Sequence, residues 1–148
     1  MPMKKIRLHT DGLNGVSQKT VDTIRSQAAA DIAIELDVFP GTMTVGNKGE
    51  RPRRPYLMMA VDGGTDFLLG VELLSTDGTI ESLWEQVPAT FCQMMAESEL
   101  RPRLLAIRAQ WLAGLLEPVC AELGIEIIRA AKLPALQRAR RSLERFEC

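Results

Sequence analysis

Hydrophobic and polar positions change period several times along the chain, and each change marks an element. The densest stretch is Tyr56 to Leu74, where two apolar runs of strand length flank Asp62-Gly63-Gly64-Thr65-Asp66. Glycine supplies positive φ and aspartate hydrogen-bonds its own backbone, so the stretch reads as a β-hairpin. Both runs are apolar at nearly every residue, whereas a hairpin with one wet face would alternate. The hairpin is therefore expected in the middle of a sheet, covered by helices on both faces.

Upstream, Ile6 to His9 is a possible short strand, followed by turn chemistry at Asp11-Gly12 and Asn14-Gly15. Ser17 is placed to cap a helix of about three turns with Val21, Ile24 and Ala28 on one face, and Val16 can staple onto it. In the segment 32–39, Ile32, Ile34, Leu36 and Val38 alternate with Ala33, Glu35, Asp37 and Phe39, the period of a strand. Pro40-Gly41 stops it. A Gly/Pro-rich connection then runs to Pro55 with Lys48, Arg51, Arg53 and Arg54 against Glu50 alone. Its length exceeds that of an ordinary loop, so it is either a functional segment or a flexible solvated one.

Beyond the hairpin, Asp77-Gly78 turns the chain and Thr79 can cap a helix. Ile80, Leu83, Trp84, Val87, Phe91, Met94 and Met95 keep a helical period to Glu97, with a kink or short break expected at Pro88. Arg101-Pro102 should end it, and 103–108 reads as a short buried strand. Trp111, Leu112, Leu115, Leu116, Val119, Cys120 and Leu123 form another helical stripe closed by Gly124, with Pro118 a possible start of a second short helix. A strand at 125–129 follows, so strand, helix and strand form a right-handed crossover with parallel strands. Pro134 opens a last helix with Leu136, Ala139, Leu143 and Phe146 inward. Arg138, Arg141 and Arg145 lie on the other side, and Arg140 near the boundary.

The predicted sheet thus contains 32–39, 56–62, 67–74, 103–108 and 125–129, with the hairpin near one side and 103–108 parallel to both 125–129 and 32–39. Residues 1–30 read as an N-terminal extension with a short helix, and 31–148 as one α/β domain.

Composition narrows the function classes. The 148 residues, 46% apolar and 25% charged, suffice for a core without staples, and the net charge of -1 excludes a generally polycationic protein. No apolar run approaches the ~18–20 residues of a membrane span, and no apolar stretch follows the basic start as a signal peptide requires. Cys92, Cys120 and Cys148 are odd in number and far apart, which suits a reducing cytoplasm rather than a disulfide framework or a zinc knuckle. His9 is the only histidine, so a Ser-His or Cys-His catalyst would have to use it.

The order of three antiparallel strands followed by αβαβα resembles the ribonuclease H-like fold, in particular the catalytic cores of transposases and integrases. Leu36-Asp37-Val38 sits where that family carries its first catalytic aspartate. Leu57 to Val61 and Phe67 to Leu73 are similar to its second and third strands. Ala106-Ile107-Arg108-Ala109-Gln110 lies where integrase cores carry their second acid, and Leu123-Gly124-Ile125-Glu126 resembles the approach to their fifth strand. The chain also resembles an uncharacterised bacterial domain family. The fold expected is therefore α/β, a ribonuclease H-like mixed five-stranded sheet flanked by helices, in a bacterial cytoplasm.

What the resemblance implies about chemistry is mostly missing. Phosphodiester cleavage in this fold uses two divalent ions held by three or four carboxylates. Asp37 keeps the first position, but the second falls at Ala109 or Gln110. The third falls at Leu136, Gln137 or Arg138, and Glu144 lies too far along the last helix. The leading expectation is a non-catalytic binding or interaction module with no metal and no cofactor. A lone buried Asp37 would bond to a backbone amide or pair with an Arg such as Arg108. The alternatives are a divalent-metal nuclease with rearranged carboxylates (Asp37 with Glu35, Asp62 or Glu72) and a structural or oligomerising domain. Asp62 and Asp66 offer too few oxygens at calcium-loop spacing, and Gly63-Gly64 precedes no helix that would make a phosphate loop.

Arg51, Arg53 and Arg54 with Arg138, Arg141 and Arg145 are candidates for binding an anion or nucleic acid by charge alone, against the alternative of an ordinary solvated surface. The aromatic side chains are mostly assigned to the core, which leaves no stacking platform for single strands. Expected partners are thus a weakly held anion or nucleic acid, or a second copy of the chain, and not a membrane.

Overall fold

The computed structural model describes residues 15–41, 49, 55–74 and 79–147. The possible strand at Ile6 to His9, the turn at Asp77-Gly78, Cys148 and most of the basic segment before Pro55 lie outside them. The elements run α1 (Gln18–Arg25), β1 (Ala28–Pro40), β2 (Tyr56–Asp62), β3 (Leu68–Leu74), α2 (Ile80–Glu85), α3 (Val87–Ser98), β4 (Leu100–Ile107), α4 (Gln110–Leu123), β5 (Glu126–Arg129) and α5 (Pro134–Glu147). Five strands form one sheet in the order β3-β2-β1-β4-β5. β2 lies antiparallel to both β1 and β3, while β4 lies parallel to both β1 and β5. This is the succession and pairing expected of the ribonuclease H-like arrangement.

The alternation along β1 explains the layering. Ile34, Leu36 and Val38 belong to a large core with Met58 and Ala60 of β2 and apolar residues of α1, α2, α3 and α4, among them Val21, Leu83, Phe91 and Leu116. The opposite face carries Phe39 with Leu57, Met59 and Val61 of β2, Ala106 of β4, and Leu133, Ala135 and Leu136 at the start of α5. Register assigns faces in the same way: Asp37 stands opposite Met59, and Val38 opposite Met58, which stands opposite Glu72.

Capping fixes several helix ends where the sequence places them. Ser17 Oγ accepts from the Thr20 amide at 3.1 Å, and Thr79 Oγ1 from the Ser82 amide at 3.1 Å. Gly124 ends α4 at φ 72°, a conformation that favours glycine. At Pro88 the helical stripe breaks cleanly into α2 and α3, with the proline in the first turn of α3, where its missing N–H is no loss.

Five expectations need correction. The hairpin is not covered throughout: β2 is buried, but among the described residues β3 pairs only with β2, and β1 holds the middle of the sheet. Phe67, 67% exposed, and Leu68 and Leu73 face solvent, because an apolar run reports average burial and not position in a sheet. The first helix has eight residues, not three turns, and Ala28 already belongs to β1. Arg101-Pro102 does not end a helix: α3 stops at Ser98, Glu99 takes φ 63°, and both residues pair within β4 against Ala29 and Ala30. α4 runs through Pro118 without a second helix, because Leu112, Leu116, Val119, Cys120 and Leu123 bury one continuous stripe. Trp111, assigned to the core, is 41% exposed and stacks on Trp84 with ring centroids 4.3 Å apart.

Cys92 and Cys120 are buried, and burial pushes both thiols up to about 12, so neither is a reactive thiolate. Among the described residues no helix is long and apolar enough to cross a membrane.

Candidate functional site

The carboxyl ends of β1, β4 and β5 point the same way because these strands are parallel. Asp37 lies near the end of β1, Arg108 directly follows β4, and Lys132 follows β5 by three residues. α5 then crosses above them and brings Gln137 and Arg140 to the same place. The five side chains, with Leu133 and Leu136 beside them, line a cavity of about 70 Å³. In sheets of this kind ligands bind in the crevice outside the carboxyl ends of the strands.

Asp37 is half-buried, and its Oδ1 accepts from the Val38 amide at 2.9 Å. Burial raises its carboxyl above the usual range; the Val38 bond and the charges of Arg108 and Arg140 oppose that rise without cancelling it. Arg140 is fixed from two sides. Its guanidinium carbon lies 4.0 Å from the centroid of the Phe39 ring, and its Nε approaches Glu144 Oε2 at 3.4 Å. Among the described residues neither Arg108 nor Lys132 takes part in an ion pair. Three cations and one half-buried acid therefore share one small cavity.

The other acids named from the sequence do not join Asp37. Glu35 shares its face of β1 but is only 8% exposed, and its Oε1 accepts from the Leu136 amide at 2.9 Å. It thereby caps the otherwise unpaired first turn of α5. Gly63 makes room for this carboxylate: a Cβ there would stand 3.1 Å from Glu35 Oε2 and 3.2 Å from the Ala33 carbonyl oxygen. Asp62 pairs in register with Ile34, on the opposite face from Asp37, and its Oδ1 accepts from the Gly64 amide at 2.8 Å. Glu72 stands opposite Met58 and so also belongs to the other face. Among the described residues no three of His, Cys, Asp and Glu come together as a metal-ligand set.

The position of the second integrase acid is equally committed. Ala109 is the N-cap residue of α4 and has no capping side chain. Gln110 Oε1 accepts from Arg129 Nη1, and the Nε and Nη2 of the same guanidinium donate to the Arg108 carbonyl at 3.2 and 2.7 Å. Arg129 thus ties the end of β5 to the end of β4 and turns Gln110 to a structural use. At the third position Leu136 is buried and Gln137 faces the cavity. Arg138 points to the hairpin turn, where it forms a two-pronged pair with Asp66 at 2.6 and 2.8 Å. That pair holds the Asp66 carboxyl below the usual range, first through the hydrogen bond itself.

Of the candidate basic residues, Arg138 has its charge met by Asp66, Arg141 is exposed, and Arg145 donates to Ser142 Oγ at 3.3 Å. Arg51, Arg53 and Arg54 lie outside the described residues. The sequence reading did not join Arg108, Lys132 and Arg140 at one site. The signal was present: each of the first two stands just after a strand of the parallel half, and such ends converge.

Comparison with known proteins places the chain as follows. The model of a domain of unknown function, DUF6930, matches residues 20–144. No curated protein matches. Among solved structures, the catalytic core domain of BIV integrase is similar at a TM-score of 0.50 and 11% identity, over 80% of this chain and 74% of that one. At that identity the likeness is one of fold, and the fold is ribonuclease H-like.

Proposed function

We propose, from the premise that the chain belongs to the DUF6930 family of domains of unknown function, that it is a non-catalytic binding module for an anion. One observation carries this reading. Where cores of this fold gather carboxylates around divalent ions, Asp37 stands with Arg108, Lys132 and Arg140 around a single cavity. A site with more cations than acids repels Mg²⁺ and attracts oxyanions. Glu35, committed to the start of α5, and Gln110, committed to Arg129, support the same conclusion. The setting proposed for this activity is the cytoplasm of a bacterium, in keeping with the free, buried Cys92 and Cys120.

The test is cleavage of DNA, RNA and RNA–DNA hybrids with Mg²⁺ and Mn²⁺, beside Asp37→Asn, with binding of the same labelled strands followed by anisotropy across a salt series. The expected outcome is no cleavage and weak binding that falls steeply with salt, since each phosphate contact releases a counterion. Cleavage that disappears in Asp37→Asn establishes the nuclease instead. A second reading, an oligomerising domain, is favoured by the β3 edge, where Leu68 and Leu73 are exposed and, among the described residues, no strand pairs beyond it. Sedimentation at the monomer mass at every concentration eliminates it.

A further inference from the structure

We propose that the cavity at Asp37 holds the terminal phosphate group of a phosphate monoester. This rests on the anion-binding reading above and names the ligand class. The first argument is size. A volume of about 70 Å³ is well short of the several hundred Å³ that a drug-sized ligand fills. It suits a small charged group such as a tetrahedral oxyanion, with the rest of a larger ligand left outside.

The second argument is charge. Arg108, Lys132 and Arg140 line the cavity against Asp37, which leaves an excess of two positive charges before Glu144 draws on Arg140. A monoester carries about −1.5 to −2 at neutral pH on three terminal oxygens. A diester has one charge on two such oxygens and matches neither count. Gln137 adds a neutral amide donor, and Arg140 is held against Phe39 before any ligand arrives, which reduces the entropy lost on binding.

The third argument is Asp37. A carboxylate in an anion site repels its ligand unless one proton lies between them. A monoester has a second pKa near 6 and so brings such a proton close to neutrality. That proton, shared between a phosphate oxygen and an Asp37 carboxylate oxygen, makes a single O–H···O contact in place of the repulsion. Sulfate and dialkyl phosphates bring no proton in this range. Asp37 therefore acts as the selecting residue, admitting a protonated tetrahedral anion and rejecting an unprotonated one, while the three cations supply the attraction.

The experiment titrates methyl phosphate, dimethyl phosphate and sulfate at pH 6.5 and constant ionic strength, by calorimetry. Wild type is compared with Arg108→Gln, Lys132→Gln and Asp37→Asn, and Trp84 and Trp111 fluorescence monitors folding. Methyl phosphate is expected to bind roughly tenfold or more tightly than either competitor, and each cation variant to lose roughly tenfold or more, the scale of a charge-assisted hydrogen bond. Asp37→Asn is expected to gain affinity for sulfate and to narrow the gap between sulfate and phosphate. A phosphoserine peptide and a 5′-phosphorylated oligonucleotide, each beside its unphosphorylated form, identify the source of the monoester by which pair shows the gain. Equal affinity for methyl and dimethyl phosphate overturns the monoester assignment and leaves the anion reading standing. No binding of any small anion by a folded protein that still binds nucleic acid overturns the site and leaves the anion reading on another surface. Failure of both experiments removes the two together.

Discussion

The two faces of β1 differ in what covers them. Ile34, Leu36 and Val38 face a core roofed, among the described residues, by α1, α2, α3 and α4. Among the described residues, Glu35, Asp37 and Phe39 face α5 and no other helix. On the first face the contacts are apolar and numerous, and no single group decides the arrangement. On the second, α5 is held partly by a few polar bonds: Glu35 to the Leu136 amide, Arg140 over Phe39, and Arg138 to Asp66. One strand therefore serves two ends, stability on one side and a charged cavity on the other. The second face carries its charged groups beside a core that the first face holds together.

The largest effect expected from this contrast is on the apolar face. Leu36 is fully buried, and Leu36→Ala should cost about 2–5 kcal/mol through lost transfer energy and the cavity left behind. Urea unfolding measures it. An equal loss in Asp37→Ala, whose side chain is half-exposed, breaks the contrast.

Next is the bond that joins the two parts. Glu35→Ala leaves the buried Leu136 amide without an acceptor, a loss of about 1–3 kcal/mol. Glu35→Gln keeps an acceptor oxygen and should lose clearly less. The site of the damage matters as much as its size. Amide hydrogen exchange in Glu35→Ala should accelerate in the first turns of α5 ahead of α3 and α4. Uniform acceleration means that α5 belongs to one cooperative unit with the rest and that the second face is no weaker than the first.

The sequence was most legible where one residue type has one physical meaning. The caps at Ser17 and Thr79, the left-handed Gly124 and the break at Pro88 all stand where local chemistry puts them. The period-two pattern of 32–39 marked the strand that became central. Pairing was less legible. β2 and β3 read alike, yet β2 is buried and, among the described residues, β3 is an edge, because position in a sheet depends on partners far along the chain. The site was legible only by default. Asp37 was found by resemblance, but Glu35 looked like a spare acid until the amide of Leu136, a hundred residues away, showed its use as a cap. Pro118 misled for the opposite reason: a proline is a local signal, and the buried stripe of α4 overrides it.

The smallest effect expected is at Asp37 itself, and its sign tells the two faces apart. Burial holds this carboxyl above its usual range despite the Val38 amide and the charges of Arg108 and Arg140. As pH rises, the unfolded chain loses this proton first, near the ordinary value of about 3.9, and the folded chain loses it later. Between those two points the folded state binds more protons than the unfolded one, so stability falls as pH rises through the window and stays reduced above it. Asparagine carries no such proton. Asp37→Asn should therefore match wild type at the acid end of the window and exceed it at neutral pH. The gain should stay below that of any core contact, a rise in Tm of at most about 2 °C. The two proteins differ in this one group alone, so the difference between them isolates the aspartate. Thermal melts from pH 3.5 to 7.5 measure it. A variant less stable than wild type at neutral pH would show that Asp37 is held by its cations rather than strained among them, and would make it part of the scaffold like Glu35 instead of a group kept ready for a ligand.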